Sequence, residues 1–335
     1  MRCYENIVFI ADFIPSHSNP SEQSTDFEKM TEKSFNRMYS ALQSIGHKII
    51  HYHSPKDFLN QIKSHSNDII FSLEWSGELS HNRKALIPSI CEAYGIAYVG
   101  ADSYLHMIAQ DKQLSKSLIT RYGLKSAEGL LINSSHDIPL IHNLRFPIIV
   151  KPNSEGGSIG IFCNNLAYNY KDAKLICDKL LPKFTTLIVE EYIPGEEICV
   201  CIAGNHHQKL ICHAIRQYIG DKTFLDKEIF GAEIKIMDKS LRKRDIVTSS
   251  FPECEMNKII QMYHSFSKAE VMRIDGRLNS DGFFVLELTP DCSLSHGSSV
   301  HLTFEAEGFG YTEMFAFLLE SAFTNRQQVS ESSKK

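Results

Sequence analysis

The segment VMRIDGRLNSDGFFVLELTP, residues 271–290, constrains the fold of this chain more than any other stretch. Its alternation of apolar and polar residues reads as two β-strands. Ser280-Asp281-Gly282 reads as a three-residue hairpin loop, with glycine at the left-handed position. Alternation puts Met272, Ile274, Phe284, Leu286 and Leu288 on one apolar face that belongs in a core. The other face carries Arg273, Asp275, Glu287 and Thr289. In this register Asp275 lies opposite Glu287, and Arg273 opposite Thr289. Facing carboxylates about 5 Å apart at Cβ repel unless something neutralises them. A divalent cation does so, and Mg²⁺ commonly takes one or two carboxylates together with phosphate oxygens. Spacing alone is also satisfied by a solvated polar face on which Arg273 bridges both acids.

The rest of the chain divides into two rhythms. Ile7–Ile10 reads as a buried strand. Helical spacing follows over 26–45, with Gly46 placed to end the helix. Strands are expected at 47–52, 68–73 and 95–100, and helices at 56–65 and 83–94, the latter kinked or started late by Pro88. This βαβαβ order predicts a parallel, doubly wound sheet. Beyond residue 100 the pattern changes. Helices are expected at 103–122, 169–181, 253–268 and 312–323, and strands at 146–152, 161–163, 187–193, 197–203 and 209–218. That is an α+β region with antiparallel strands. The basic run Leu241–Asp245 reads as a solvated loop, and the polar tail after 324 as disordered.

With 335 residues and roughly 150 per domain, about two domains are expected. The balance of 35 Lys+Arg against 40 Asp+Glu gives a net charge of −5, which offers no footprint for nucleic acid or an anionic membrane. No apolar stretch is long enough to span a bilayer, and Asp12 cuts the early apolar run, so residues 1–13 read as a first strand rather than a signal peptide. The 9 cysteines are odd in number and contain no CxxC pair, which reads as buried free thiols in a cytoplasmic protein.

Two further segments carry chemistry. Lys151-Pro-Asn-Ser-Glu-Gly-Gly-Ser-Ile-Gly160 lies between strands. Its glycines let backbone N–H groups approach an anion, Ser158 adds a hydroxyl, and Lys151 a point charge. It matches neither the P-loop pattern nor the dinucleotide pattern, and a plain flexible turn has the same composition. LIVEEYIPGEEICV, residues 187–200, places Glu190 and Glu197 either side of a Pro194-Gly195 turn. Such a turn suits a flat ring and ribose hydroxyls, and equally two exposed acids.

Taken in order, the lysine before a glycine-rich loop, the EEYIPGEE turn and the RID…LELT hairpin resemble the ATP-grasp superfamily, in its D-alanine–D-alanine ligase-like branch. Gly95-IAYVGAD with Asp111-Lys112, and Glu287-LTPDCSLSHG before a terminal helix, extend the resemblance from about Ile69 to Phe323. It implies a doubly wound α/β domain over 1–101, then a two-lobed ATP-grasp domain over 102–324, divided near residue 190, with 325–335 as the tail. The implied activity is ATP-dependent joining of a carboxylate to an amine through an acyl phosphate, on amino acids or a small peptide.

By the same resemblance Lys112, Lys151, Gly157 and Ser158 contact ATP phosphates. Glu190, Tyr192 and Ile193 line the adenine slot, and Glu197 holds the ribose. Asp275, Glu287 and Thr289 hold Mg²⁺, Arg273 steadies the acyl phosphate, and Ser298 meets the substrate carboxylate. Residues 220–231 form the expected lid. Three departures stand out. Thr289 replaces a usual Asn, which weakens the case for a second ion, with Asp291 nearby. Phe230 falls where a lid lysine is usual, leaving Lys227 or Lys222 as substitutes. Residues 11–16 and 71–83 lack the family's substrate-amine and His-Gly segments. An ATP-binding protein without ligase turnover, or an ATP-grasp kinase, is the alternative. Dimerisation is an expectation from resemblance alone.

Overall fold

The computed structural model describes residues 4–14, 29–73, 83–205, 208–229, 231 and 241–332, with side chains through residue 324. Four strands, β1 (Asn6–Ile10), β2 (Lys48–Tyr52), β3 (Ile69–Ser72) and β4 (Ala97–Val99), form a parallel sheet in the order β2-β1-β3-β4. Ile7 and Phe9 pack toward helix α1 (Glu32–Ser44), while Val8 and Ile10 pack on the other face with Phe58, Ile87 and Cys91. A strand covered on both faces is apolar at successive positions, so β1 reads as a run rather than an alternation. Thr31 caps α1 by accepting from the Ser34 N–H, and Gly46, at φ +90°, follows its end. The stretch 56–65 is not one helix: α2 (Pro55–Leu59) gives way to a 3₁₀ turn, Ile62–His65. Pro88 marks a late start, because it sits in the first turn of α3 (Leu86–Tyr94), where its missing N–H costs nothing.

The expected single helix over 103–122 is two, α4 (Ser103–Gln110) and α5 (Lys112–Arg121). Asp111 is extended between them and accepts from the N–H groups of Gln113 and Leu114, both at 3.0 Å. This break turns Lys112 inward. A small antiparallel sheet follows, made of Leu166–Ala167, β6 (Ile148–Pro152), β7 (Leu187–Glu191) and β5 (Gly129–Ile132), in that order, with α6 (Tyr170–Leu180) on one face. Residues 161–163 do not form the expected strand. The Asn165 carboxamide donates to the carbonyls of Val150 and Gly160, each at 2.7 Å, and fixes a 3₁₀ turn, Cys163–Asn165.

The largest sheet has the order β10 (Arg242–Ile246), β9 (Ile211–Ile219), β8 (Gly195–Ala203), β11 (Val271–Asn279), β12 (Gly282–Thr289) and Lys125–Ser126, with Phe224–Leu225 also paired to β8. The basic run is therefore an edge strand and not a loop. Ile198, Val200 and Ile202 pack against α4, α5 and α7 (Glu253–Tyr263), which ends five residues earlier than the sequence pattern suggests. On the opposite face Cys199, Cys201 and Ile215 are covered by Val300 and Phe304 of α8 (Ser299–Ala306). Phe315, Leu318 and Leu319 of α9 (Tyr311–Ser332) join the same core as Ile7 and Phe9, so the last helix fastens the first sheet to the largest one. The helix runs through Ser332, where disorder was expected after 324. Arg326, Gln327 and Gln328 are residues that a helix tolerates well. Cys91, Cys177, Cys199, Cys201 and Cys292 are buried free thiols, as expected, while Cys163 and Cys254 are exposed.

The hairpin holds one correction. Asn279 pairs with Gly282, so its loop has two residues rather than three. A β-bulge between Asp275/Gly276 and the facing strand then restores the register, and Asp275 faces Glu287 while Arg273 faces Thr289. Beyond the bulge the faces exchange. Phe283 and Val285 enter the core, and Phe284 and Leu286, expected there, are only partly buried on the other side.

Candidate active site

The open part of the largest sheet faces the small sheet across a cavity of about 340 Å³. A second chamber of about 240 Å³ adjoins it, and Glu155, Gly157, Arg273, Glu287 and Ser293 border both. Of the residues singled out in the sequence, Lys112, Lys151, Gly157, Ser158, Glu190, Tyr192, Ile193, Glu197, Arg273, Asp275 and Glu287 line the first chamber. Thr289 lines the second.

At the junction, Arg273 Nε donates to both Asp275 oxygens, at 2.8 and 3.1 Å, and Thr289 Oγ1 donates to Asp275 Oδ2 at 2.9 Å. Glu287 Oε1 lies 3.1 Å from Lys112 Nζ. Each acid thus has its own cation, and Arg273 does not bridge the two. Burial disfavours the Arg273 guanidinium, but Asp275 outweighs it and holds the group charged. The donor set, two carboxylates and a hydroxyl open to a polar cavity, suits a hard cation such as Mg²⁺. Among the described residues there is no cluster of three or more His, Cys, Asp or Glu that could hold a metal ion by itself.

Glu190 is almost completely buried and pairs with Lys151 and Lys116. Burial pushes its carboxyl up, yet Lys151 and Lys116 outweigh burial and hold it at about 2. Glu197 pairs with Arg277, and burial still raises its carboxyl above the ordinary range. Arg277 also lies over the Tyr192 ring, 5.6 Å from its centroid, and the Tyr192 hydroxyl donates to the Glu228 carbonyl at 2.7 Å. Ser158 holds φ +65° directly after Gly157 at φ +63°. A left-handed serine is strained and is kept in place by its surroundings. The loop is anchored where Arg83 Nη2 meets Glu155 Oε2 at 2.9 Å.

Two expected residues stand apart. Ser298 lines neither chamber; it caps α8 by accepting from the His301 N–H at 3.2 Å. Lys227 is exposed and absent from both linings, and Lys222 is tied to Glu228. Phe230, most of residues 71–83 and the end of 11–16 lie outside the described residues.

Sequence reading missed several side chains. Lys116 lies one helical turn after Lys112, and Arg277 is two residues after Asp275, so both periodicities were available as signals. Lys84 pairs with Asp291 at 3.1 Å in the second chamber, beside His106. Asp291 is held at about 2 because Lys84 and His106 outweigh its burial. Arg242 and Arg244, the assumed loop residues, line the first chamber.

The family model "D-ala D-ala ligase C-terminus" matches residues 125–320, more than half of the chain. The D-alanine–D-alanine ligase of Thermotoga maritima is 24% identical over 302 residues, covering 87% of this chain and 92% of that protein. D-alanine–D-alanine ligase A of Bacillus cereus is 23% identical over 240 residues, covering 71% and 75%. The solved D-alanine–D-alanine ligase of Bacillus anthracis complexed with ATP superposes with a TM-score of 0.72 at 17% identity, covering 96% of this chain and 99% of that one. The VanG D-Ala:D-Ser ligase of Enterococcus faecalis superposes with a TM-score of 0.68 at 16% identity, over 96% and 99%. The Lys112–Glu287 and Arg273–Asp275 pairs between two facing sheets thus sit in an ATP-grasp fold, and the chain belongs to the D-alanine–D-alanine ligase family whose C-terminal region that model describes.

Proposed function

We propose that this chain is an ATP-dependent ligase that joins a carboxylate to an amine, on amino acids or a small peptide. The observation that carries this reading is the pair of facing carboxylates, Asp275 and Glu287, at the junction of two connected chambers. One chamber has room for a nucleotide and the other for the groups being joined. Glu190, Tyr192 and Ile193 take the adenine, and Glu197 the ribose. Lys112, Lys151 and the Gly157–Ser158 turn direct positive charge and N–H groups at the phosphates. Asp275 and Glu287, with Thr289, would hold Mg²⁺, which supplies charge neutralisation at the transferring phosphoryl group when bound.

A carboxylate is a poor electrophile, and phosphorylation makes it an acyl phosphate that an amine attacks. Arg273, which borders both chambers, is the residue that would stabilise negative charge on both species, as an oriented guanidinium does. The acyl phosphate is prone to hydrolysis. Closure of the 153–160 loop, held to the Arg83 turn, keeps water from it. Residues 1–101 are read as the preceding domain and 102–324 as the nucleotide-binding domain. Thr289, in place of the usual Asn, donates to Asp275 Oδ2 at 2.9 Å and so supports that carboxylate. The test is ADP release across a panel of amino-acid pairs, with hydroxylamine added to trap the acyl phosphate as a hydroxamate. Tight ATP binding with neither product would sink this reading.

A further inference from the structure

The cations that line the catalytic cavity are nearly all matched. Lys112 is matched by Glu287, Lys151 by Glu190, Arg273 by Asp275, and Arg277 by Glu197. Lys243 is matched by Asp221. Arg242 and Arg244 are the exceptions: among the described residues neither has a carboxylate partner. Both belong to β10 and line the cavity, as does Lys243 between them. Arg244 pairs in register with Gln217, which in turn faces Glu197, so its side chain rises from the same face as the nucleotide-side residues. Its Nη1 donates to the Gly297 carbonyl at 3.1 Å, and its Nε–H is buried with no acceptor among the described residues.

That position has a direction. Arg242, Arg244 and Arg273 line one cavity, so their like charges oppose one another, and among the described residues only Arg273 of the three has a carboxylate partner. The sites for triphosphate lie on the other wall, at Lys151 and the 157–158 turn. Arg244 instead borders the start of α8 through Gly297. An anion seated between Arg242, Arg244 and Arg273 would relieve the repulsion and satisfy the buried Nε–H, and a guanidinium fork suits a carboxylate or phosphate oxygen pair.

We propose that Arg242 and Arg244 hold a second anionic group of the amine substrate. The acceptor is then an amino acid carrying a carboxylate or phosphate beyond its α-carboxylate, rather than a neutral one. This inference rests on the ligase reading above and adds the charge class of the acceptor.

The test uses the full-length protein with Mg²⁺ and ATP. Amine-dependent ADP release is measured for the amino-acid panel with alanine, aspartate, glutamate or O-phosphoserine as acceptor, in both enantiomers. The expected result is a kcat/KM at least about tenfold higher for the acidic acceptors than for alanine. Arg244→Met and Arg242→Gln should each raise KM for the preferred acidic acceptor about tenfold while KM for ATP moves less than about twofold, and Arg244→Lys should recover part of the loss. Preference for aspartate and glutamate identifies a carboxylate; preference for O-phosphoserine identifies a phosphate. Equal kcat/KM for alanine and the acidic acceptors overturns the inference and leaves the ligase reading standing. So does an Arg244→Met protein whose KM changes for ATP alone, which assigns the arginines to the nucleotide. If no pair releases ADP and hydroxylamine yields no hydroxamate, both readings fall. Thermal melting of each variant separates misfolding from lost recognition, and Arg242→Gln, at the first residue of the edge strand, keeps the test open if Arg244→Met does not fold.

Discussion

Glu287 and His106 illustrate how single residues in this cavity are set by their neighbours. Glu287 sits in the open, polar part of the sheet, with Lys112 as its partner. A glutamine of the same shape can still accept from Lys112, so Glu287→Gln should leave the fold intact. It should nonetheless reduce Mg²⁺-dependent ADP release by about a thousandfold, because it removes one of two anionic ligands. Near-normal turnover in that variant would remove the metal assignment. His106 behaves differently. Burial, which outweighs the pull of Asp291, lowers its pKa from 6.5 to about 4. The folded state therefore binds fewer protons than the unfolded state between those values. Stability is fully present above pH 6.5 and falls as pH drops toward 4. The loss amounts to about 3 kcal/mol over the window. Urea denaturation from about pH 7 to about pH 4 should show this slope, and His106→Asn should flatten it. An unchanged slope in the variant would assign the acid sensitivity to other groups.

Among the elements, the β11–β12 hairpin is where sequence and structure can be compared most closely. The facing of Asp275 and Glu287 was legible from alternation and the turn residues. It survives because two departures cancel: the loop is one residue shorter, and the bulge adds the residue back. The faces of Phe283 through Leu286 were not legible, since a bulge is decided by the partner strand rather than by the local pattern. The same limit hid Arg242 and Arg244. Nothing in their own sequence says that β9 pairs with them, and that pairing is what makes a basic run into a cavity wall. The break at Asp111 leaves a faint sequence signal, an Asp before a lysine-led turn inside a continuous helical pattern. Gly276 supports the bulge by having no side chain. A Cβ there would lie 2.5 Å from the Phe283 ring and would press on the Phe284 carbonyl. Gly276→Ala should cost about 2–3 kcal/mol in chemical denaturation and lower turnover by displacing the neighbouring Asp275. Wild-type stability in that variant would mean the hairpin yields at no cost.

At the scale of the whole molecule, the first sheet contributes to the cavity through the turn before α3. Arg83 reaches Glu155 of the glycine-rich loop, and Lys84 reaches Asp291 beyond β12, so one turn touches both halves of the nucleotide-binding region. The turn leads into α3, whose Ile87 and Cys91 pack against Val8 and Ile10 of β1, and this ties it to the first sheet. A loop that closes over a hydrolysable intermediate needs such an anchor, because closure in the wrong place admits water. Arg83 is 4% exposed and meets the Glu155 carboxylate at 2.9 Å. Arg83→Met keeps the length of the side chain and removes only its charge and hydrogen bonds. It should lower stability by about 3 kcal/mol, through the unpaired Glu155, and loosen the loop. Loosening diverts acyl phosphate to water, so ADP released per amide formed should rise severalfold above the wild-type ratio, with KM for ATP changing much less. Measuring ADP and amide in the same reaction separates this from simple inactivation, which lowers both together. A variant that is destabilised but keeps the wild-type ratio would make the Arg83–Glu155 pair a structural tie, with the seal over the intermediate coming from the loop alone.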